Sequence, residues 1–339
     1  MNHTAFFEQV KKGNIQPVYL MEGTEEYIKQ QAVRQLCTKL LPAGLEELNL
    51  TDLTDPEADA LIAAAETLPF MADRRIVIIR ECSLLTAGKK AENEDKAAQI
   101  AEYVERIPPT ACVVFFIKGK ADGRKKLYTL LKKKNAIVDF SPMSDAECAD
   151  WARRTMARMG KQMTPRTADK LVFTVGRDAA LLKQEMEKLA AYLADRPEVT
   201  EADIDAICTR STECTVFQMV DAQVAGRNDV AFGLLKDMVR AGEDRIGILA
   251  MLLRQYRILY HMRSLMDERA PQQSQASLLG IPPFAVSRTQ QQARRYDRAR
   301  LKEAYESLLD YEQQIKGGLT PQEGCAENAL LRLEAILRA

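Results

Sequence analysis

Two short runs constrain this chain more than any other feature. Arg75 to Arg80 reads RIVIIR and Ala111 to Ile117 reads ACVVFFI. Each is a stretch of β-branched or aromatic residues with no polar position alternating through its middle. A strand with one wet face alternates, whereas a strand covered on both faces does not. Strands of that kind belong to parallel sheets flanked by helices. Pro17 to Met21 (PVYLM) reads as another buried strand, Leu45 to Leu50 as a short one and Ala136 to Phe140 as the last. Helical patterns lie between them. One starts at about Glu25 and carries Ala32, Val33, Leu36, Leu40 and Leu41 on one face. Others run over Asp55 to Glu66 with Pro56 in the first turn, over Asn93 to Arg106, and over Arg124 to Lys133. Five strands alternating with helices predict an α/β domain with a parallel, doubly wound sheet.

Pro142 marks a change, and no convincing strand follows it. Helices are expected over Asp145 to Met159, Thr164 to Val175, Asp178 to Leu193 and Glu201 to Cys208. Thr164 and Thr200 suit N-caps, and Gly160 and Gly176 suit helix ends. Polar residues break the pattern at Thr209 to Thr215. Further helices are expected over Val216 to Ala225, Asp229 to Ala241, Asp244 to Asp267, Pro283 to Ala293, Asp297 to Lys316 and Gln322 to Leu337. The Gln/Ser-rich stretch Pro271 to Ser277 reads as a flexible loop. At 339 residues the chain should form two or three domains.

A strand, a turn and a helix at the start of an α/β domain raise the question of a phosphate loop. Such a loop needs glycines, a lysine and a Ser or Thr, so that backbone N–H groups and an ammonium hold phosphate oxygens. The turn here is Glu22-Gly23-Thr24-Glu25-Glu26, with one glycine, no lysine and three carboxylates. Those charges would repel a triphosphate. Neither RIVIIR nor ACVVFFI ends in the acidic pair that holds Mg²⁺ for phosphoryl transfer. The only histidines are His3, at a terminus, and His261, in a long helix with no evident partner; a structural or surface role suits both better than catalysis, and no GxSxG or HExxH occurs. The domain has the outline of a nucleotide-binding protein with a dead site, which points to a partner subunit and predicts no cofactor.

Lys plus Arg equals Asp plus Glu at 48 each, so bulk charge offers no argument for nucleic acid or membrane. Seven scattered cysteines with no zinc or redox spacing read as reduced thiols. The N-terminal MNHTAFFEQVKKGN has no apolar signal core and no stretch approaches a membrane span, so a soluble, cytoplasmic protein is expected.

Three segments remain as candidates for binding. Leu68-Pro69-Phe70-Met71 is an apolar connection between a helix and a strand. Either it binds something at the surface, or Leu68 and Phe70 fold back as a lid over the core. Lys118 to Lys134 holds eight basic residues against the single acid Asp122. Ser287 to Lys302 holds Arg288, Arg294, Arg295, Arg298, Arg300 and Lys302 against Asp297. Either cluster suits a phosphate backbone, although a solvated helix face is the simpler reading of each.

In order, the chain contains PVYLMEGTEEY, LPFMADRRIVII, ACVVFFIKG followed by ADGRKKLYTLLKK, GRDAALLKQEMEKLAAY, VFQMVDAQVAGR, LAMLLRQYRILYHM, LGIPPFAVSRTQQQAR, and YEQQIKGGLTP with ENALLRL. This series resembles the delta subunit of the bacterial DNA polymerase III clamp loader over nearly the whole chain. The resemblance implies an AAA+-like domain without a working phosphate loop (1–142), a small helical lid (143–211) and a helical collar (212–339). It implies a ring of five subunits with gamma/tau ATPases and delta-prime, working in DNA replication on the beta sliding clamp and primed DNA. Family members do not bind ATP, so no intrinsic catalysis is expected, although the family is classed with DNA-directed DNA polymerase as a holoenzyme subunit. The clamp-binding role carries to Leu68 and Phe70, with Met71 as a further candidate and the helix face at Ala65 nearby. Arg288, Arg294, Arg295 and Arg298 are candidates for DNA inside the loader.

Two readings of other classes compete. A nucleotide-dependent enzyme with an atypical phosphate loop would use Lys118-Gly119-Lys120-Ala121-Asp122-Gly123-Arg124, between a strand and a helix N-terminus. A helical scaffold would bind nucleic acid directly through the basic clusters.

Overall fold

A computed structural model describes residues 1–86 and 94–338 and divides the chain into two compact units, 1–142 and 143–339. The first unit is built on five strands: β1 (Val18–Glu22), β2 (Leu50–Thr54), β3 (Arg75–Arg80), β4 (Ala111–Phe116) and β5 (Ile137–Asp139). They form one sheet in the order β2-β3-β4-β1-β5. Every pairing is parallel, with Val18 opposite Val113 and Ile78 opposite Val114. The helices are α1 (His3–Lys11), α2 (Glu26–Leu40), α3 (Glu46–Asn49), α4 (Ala58–Glu66), α5 (Glu94–Glu105) and α6 (Lys126–Lys133). Alternate strand residues separate into two layers. Val18, Leu20, Val77, Ile79, Val113 and Phe115 join a core with Leu61, Ile100, Tyr103 and Leu127 from α4, α5 and α6. Tyr19, on the other face, meets Phe6 of α1 edge-to-face at 5.1 Å.

The inner strands β1, β3 and β4 fall where their unbroken apolar runs place them. The edge strand does not: Leu45 to Leu50 was expected as a strand, yet Glu46–Asn49 is helical and β2 is LTDLT. An edge strand pairs on one side only and is half-exposed here, so its sequence carries no apolar run to read. Pro56 precedes Glu57, the N-cap of α4, and lies outside that helix's first turn. Helix α1 had no counterpart in the sequence reading; Asn2 caps it by accepting from the Ala5 N–H at 3.0 Å. The expected start of the fifth helix at Asn93 lies outside the described residues.

The second unit contains α7 (Asp145–Arg158), α8 (Pro165–Val175), α9 (Ala179–Leu193), α10 (Glu201–Ile207), α11 (Thr212–Val224), α12 (Asn228–Arg240), α13 (Arg245–Asp267), α14 (Gln272–Leu279), α15 (Pro283–Ala293), α16 (Arg298–Lys316) and α17 (Cys325–Arg338). Thr164 and Thr200 are N-caps, and Gly176 is a C-cap at φ 97°. One apolar core runs from Val216 to Leu337, centred on Leu252, Tyr256 and Leu259 of α13. Two expectations fail here. Helix α11 begins at Thr212, inside the polar break, because Ser211 caps it by accepting from the Cys214 N–H. The Gln/Ser-rich stretch is helix α14 and not a loop. Ala276 and Leu279 pack on the core, while buried Gln275 donates to Ala270 O and accepts from Gln290. Among the described residues no helix is long and apolar enough to cross a membrane.

Candidate functional site

In a parallel α/β sheet, nucleotides bind beyond the carboxyl ends of the strands. That edge is closed in this chain. The Gly23 N–H donates to Gly119 O at 2.6 Å, and the Glu25 N–H donates to Phe140 O at 3.0 Å. Gly23 sits at φ 118°, and a Cβ there would lie 2.2 Å from the carbonyl carbon of Phe140. Only glycine fits, and what it fits against is the protein's own backbone. Glu22 is buried; its carboxylate accepts from the Ala121 N–H at 3.0 Å and faces Lys120 Nζ at 3.5 Å. Lys120 is also 2.7 Å from Asp139. Burial alone would lower the pKa of the Lys120 ammonium, but the hydrogen bond it donates to Asp139 and the charge of Glu22 outweigh that and raise it.

One lysine of the site escaped the sequence reading. Gly23 and Lys29 have the spacing of the first glycine and the lysine in G-x-x-x-x-G-K-[ST], with Ile28 and Gln30 at the other two positions. Lys29 is fully buried. Its Nζ lies 2.5 Å from Glu26, donates to Ile117 O at 2.7 Å and sits 4.7 Å from the centroid of the Phe116 ring. Helix α2 already runs through Glu26, Tyr27 and Ile28, where a phosphate loop would curl. Glu22 and Glu26 are thus engaged with internal partners, and helix occupies the stretch where a phosphate loop would lie. The rival loop Lys118 to Arg124 is engaged in the same way. The N–H groups of Ala121, Asp122, Arg124 and Lys125 bond to Glu22, Leu85 O, the Asp122 carboxylate and Asp122 O.

The apolar connection lies at the opposite edge, where α4 returns to the amino end of β3. Leu68 is 77% exposed, Phe70 53% and Met71 76%. None of them folds back as a lid. Met71 is held in the left-handed region at φ 50°, an uncommon place for a long side chain. The backbone around them is fastened. Asn49, fully buried, accepts from the Phe70 N–H at 2.7 Å and donates to Phe70 O at 3.0 Å. Arg75, also buried, donates to Thr67 O at 3.2 Å and to Thr51 Oγ1 at 2.9 Å, and burial lowers its guanidinium's affinity for the proton. Arg74 donates to Ile15 O at 2.9 Å. Leu48, next to Asn49, is exposed as well. Ala65, expected on a helix face near the clamp, lies on the core-facing side of α4 and is buried.

The four candidate arginines divide into two pairs. Arg288 is 2.8 Å from Asp221 and lies over the Phe217 ring, and Arg298 lies over the Tyr260 ring. Arg294 and Arg295 are exposed and make no ion pair among the described residues. No group of three metal-binding side chains occurs among the described residues. All seven cysteines are free thiols, and burial pushes those of Cys112 and Cys208 up to about 12.

A family profile described as the DNA polymerase III delta subunit matches residues 19–141, and that of the family's C-terminal domain matches residues 213–333. The chain belongs to the DNA polymerase III delta subunit family. The DNA polymerase III subunit delta of Bacillus subtilis (strain 168) is 28% identical over 331 residues, spanning 96% of this chain and 95% of the relative. The structure of the Bacillus subtilis DNA clamp loader delta protein superposes with a TM-score of 0.58 at 26% identity, covering 99% of this chain and 100% of that one. This delta-family chain is therefore a clamp-loader subunit, built as an α/β domain followed by helices. In it, the edge of the sheet associated with nucleotides is sealed and the opposite edge presents an apolar surface.

Proposed function

We propose that this chain binds the beta sliding clamp through Leu68 and Phe70, with Met71 beside them, and favours the open ring for loading onto primed DNA. The observation that carries the reading is the exposure of three large apolar side chains on a backbone tied down from beneath. Exposed apolar residues gain most when they enter a pocket; burying Leu68 and Phe70 would contribute roughly 1.5–3 kcal/mol each. A few such anchors dominate an interface. A ring with its subunit interface sprung would be selected if it presents the better surface to this edge. ATP would be bound by the gamma/tau subunits, this chain would assemble with them and with delta-prime, and it would itself perform no chemistry. Its domains would be 1–142, 143–211 as a lid and 212–339 as a collar; confinement of one apolar core to Val216–Leu337 supports the last division. Arg294 and Arg295 are the arginines free to meet DNA inside the loader, whereas Arg288 and Arg298 are engaged within the chain. A replication subunit of this kind would work in the cytoplasm.

The test is the affinity of the purified chain for purified clamp, with Leu68→Ala/Phe70→Ala beside the parent. Loss of binding by a variant that keeps its fold is expected; unchanged affinity would overturn the reading.

A further inference from the structure

The apolar connection is short, has no secondary structure of its own and exposes its largest side chains, yet it is not loose. Asn49 explains why. Its side-chain amide is fully buried, and all three of its hydrogen bonds are local to this edge. Oδ1 accepts from the Phe70 N–H at 2.7 Å, while Nδ2 donates to Phe70 O at 3.0 Å and to Leu45 O at 3.0 Å. The pairing with Phe70 uses both its N–H and its carbonyl, as a neighbouring strand would, and so fixes the backbone on both sides of one exposed aromatic residue. Both donors and the acceptor of the amide are used, an arrangement that no apolar or charged side chain can copy. A second fastening lies upstream, where buried Arg75 donates to Thr67 O at 3.2 Å. Leu68 and Phe70 thus hang from a segment pinned at Thr67 and at Phe70, with left-handed Met71 directly after it.

We propose that Asn49 is the positioning residue of this surface: it holds Phe70 in the geometry that a partner's apolar pocket receives, so ordering of the connection is completed before binding. The inference rests on the clamp-binding reading above. Asn49 need not touch the clamp. If it were absent, the connection would sample other conformations, and the apparent affinity would fall by the fraction still competent to bind.

The experiment uses the full chain as parent, Asn49→Ala and Leu68→Ala/Phe70→Ala, with purified sliding clamp as the probe. Amide hydrogen exchange is followed at Phe70, and clamp affinity is corrected for the folded fraction. In the parent, the Phe70 amide is expected to exchange slowly although its side chain is half-exposed. In Asn49→Ala that amide should exchange faster, while amides of β3 and β4 stay protected. Clamp affinity should fall about tenfold, the order expected when a segment of one or two residues must be ordered on binding. A fast Phe70 amide in the parent overturns the proposal without any variant, which keeps it testable if Asn49→Ala fails to fold. So does an Asn49→Ala chain with a freed Phe70 amide and unchanged affinity. If Leu68→Ala/Phe70→Ala binds as the parent does, the clamp reading fails in its own right; if only Asn49→Ala does, that reading stands and the positioning role falls.

Discussion

Two connections leave the same sheet and have opposite characters. The turn after β1, at the carboxyl edge, is polar in sequence and closed in structure. Gly23 is bonded to Gly119, Glu22 is buried beside Lys120, and Lys29 is enclosed between Glu26, Ile117 and Phe116. The connection before β3, at the amino edge, is apolar in sequence and open in structure, with Leu68 and Met71 about three-quarters exposed. Polar groups went inside because each found a partner; apolar groups stayed outside although burial would stabilise them. The first arrangement stabilises the fold, while the exposed side chains of the second add little to it. That difference in burial distinguishes the two connections more sharply than the loss of a motif does.

The comparison breaks most visibly at the open connection. Leu68→Ala/Phe70→Ala should weaken clamp binding by about 3–5 kcal/mol, more than about a hundredfold, by the burial it removes. Its urea unfolding should stay within about 0.5 kcal/mol of the parent, as for other surface changes. At the closed turn the pattern inverts. Gly23→Ala should cost roughly 2–4 kcal/mol of stability, since a Cβ meets the Phe140 backbone at a φ that L-residues avoid. The folded fraction should bind clamp normally. Lys29→Met should cost about 1–3 kcal/mol, read in the same urea titration, because the Ile117 carbonyl is left without its donor.

The smallest effect concerns pH. Burial would raise the Asp139 carboxyl, but hydrogen bonds from Lys120 and Ser141 outweigh it and hold it below the ordinary carboxylate range. A lowered acid stabilises the fold above its unfolded value, near pH 3.9, and that contribution is lost as pH falls through the folded value. Asp139→Asn should therefore flatten the acid limb of stability against pH below about 4, by less than about 1 kcal/mol because the pair is half in water. An unchanged limb would remove Asp139 from the closure of the turn.

How much of this was legible in the sequence follows from what each segment pairs with. RIVIIR and ACVVFFI could be read because strands buried on both faces leave no polar alternation. LTDLT could not, because an edge strand is half in water and its residues suit several structures. The Gln/Ser-rich stretch misled because its amides satisfy one another and nearby carbonyls, as Gln275 does with Ala270 and Gln290. Leu68, Phe70 and Met71 were visible as apolar residues in a connection, but their exposure required coordinates. Asn49 left no local signal, since its partner lies 21 positions along the chain. Lys29 did leave one, in its spacing from Gly23; it was obscured because the expected second glycine is Ile28 and the helix starts early.

On the reading proposed above, the open connection and not the closed turn is the working surface, and it needs no nucleotide of its own. The most direct measurement places a pair of fluorophores across a subunit interface of the sliding clamp and adds the isolated chain, with and without ATP. The parent is expected to separate the fluorophores equally well in both conditions, while Leu68→Ala/Phe70→Ala leaves the ring closed. Ring opening by that double variant at the parent's level, or opening by the parent only when ATP is present, would contradict that reading.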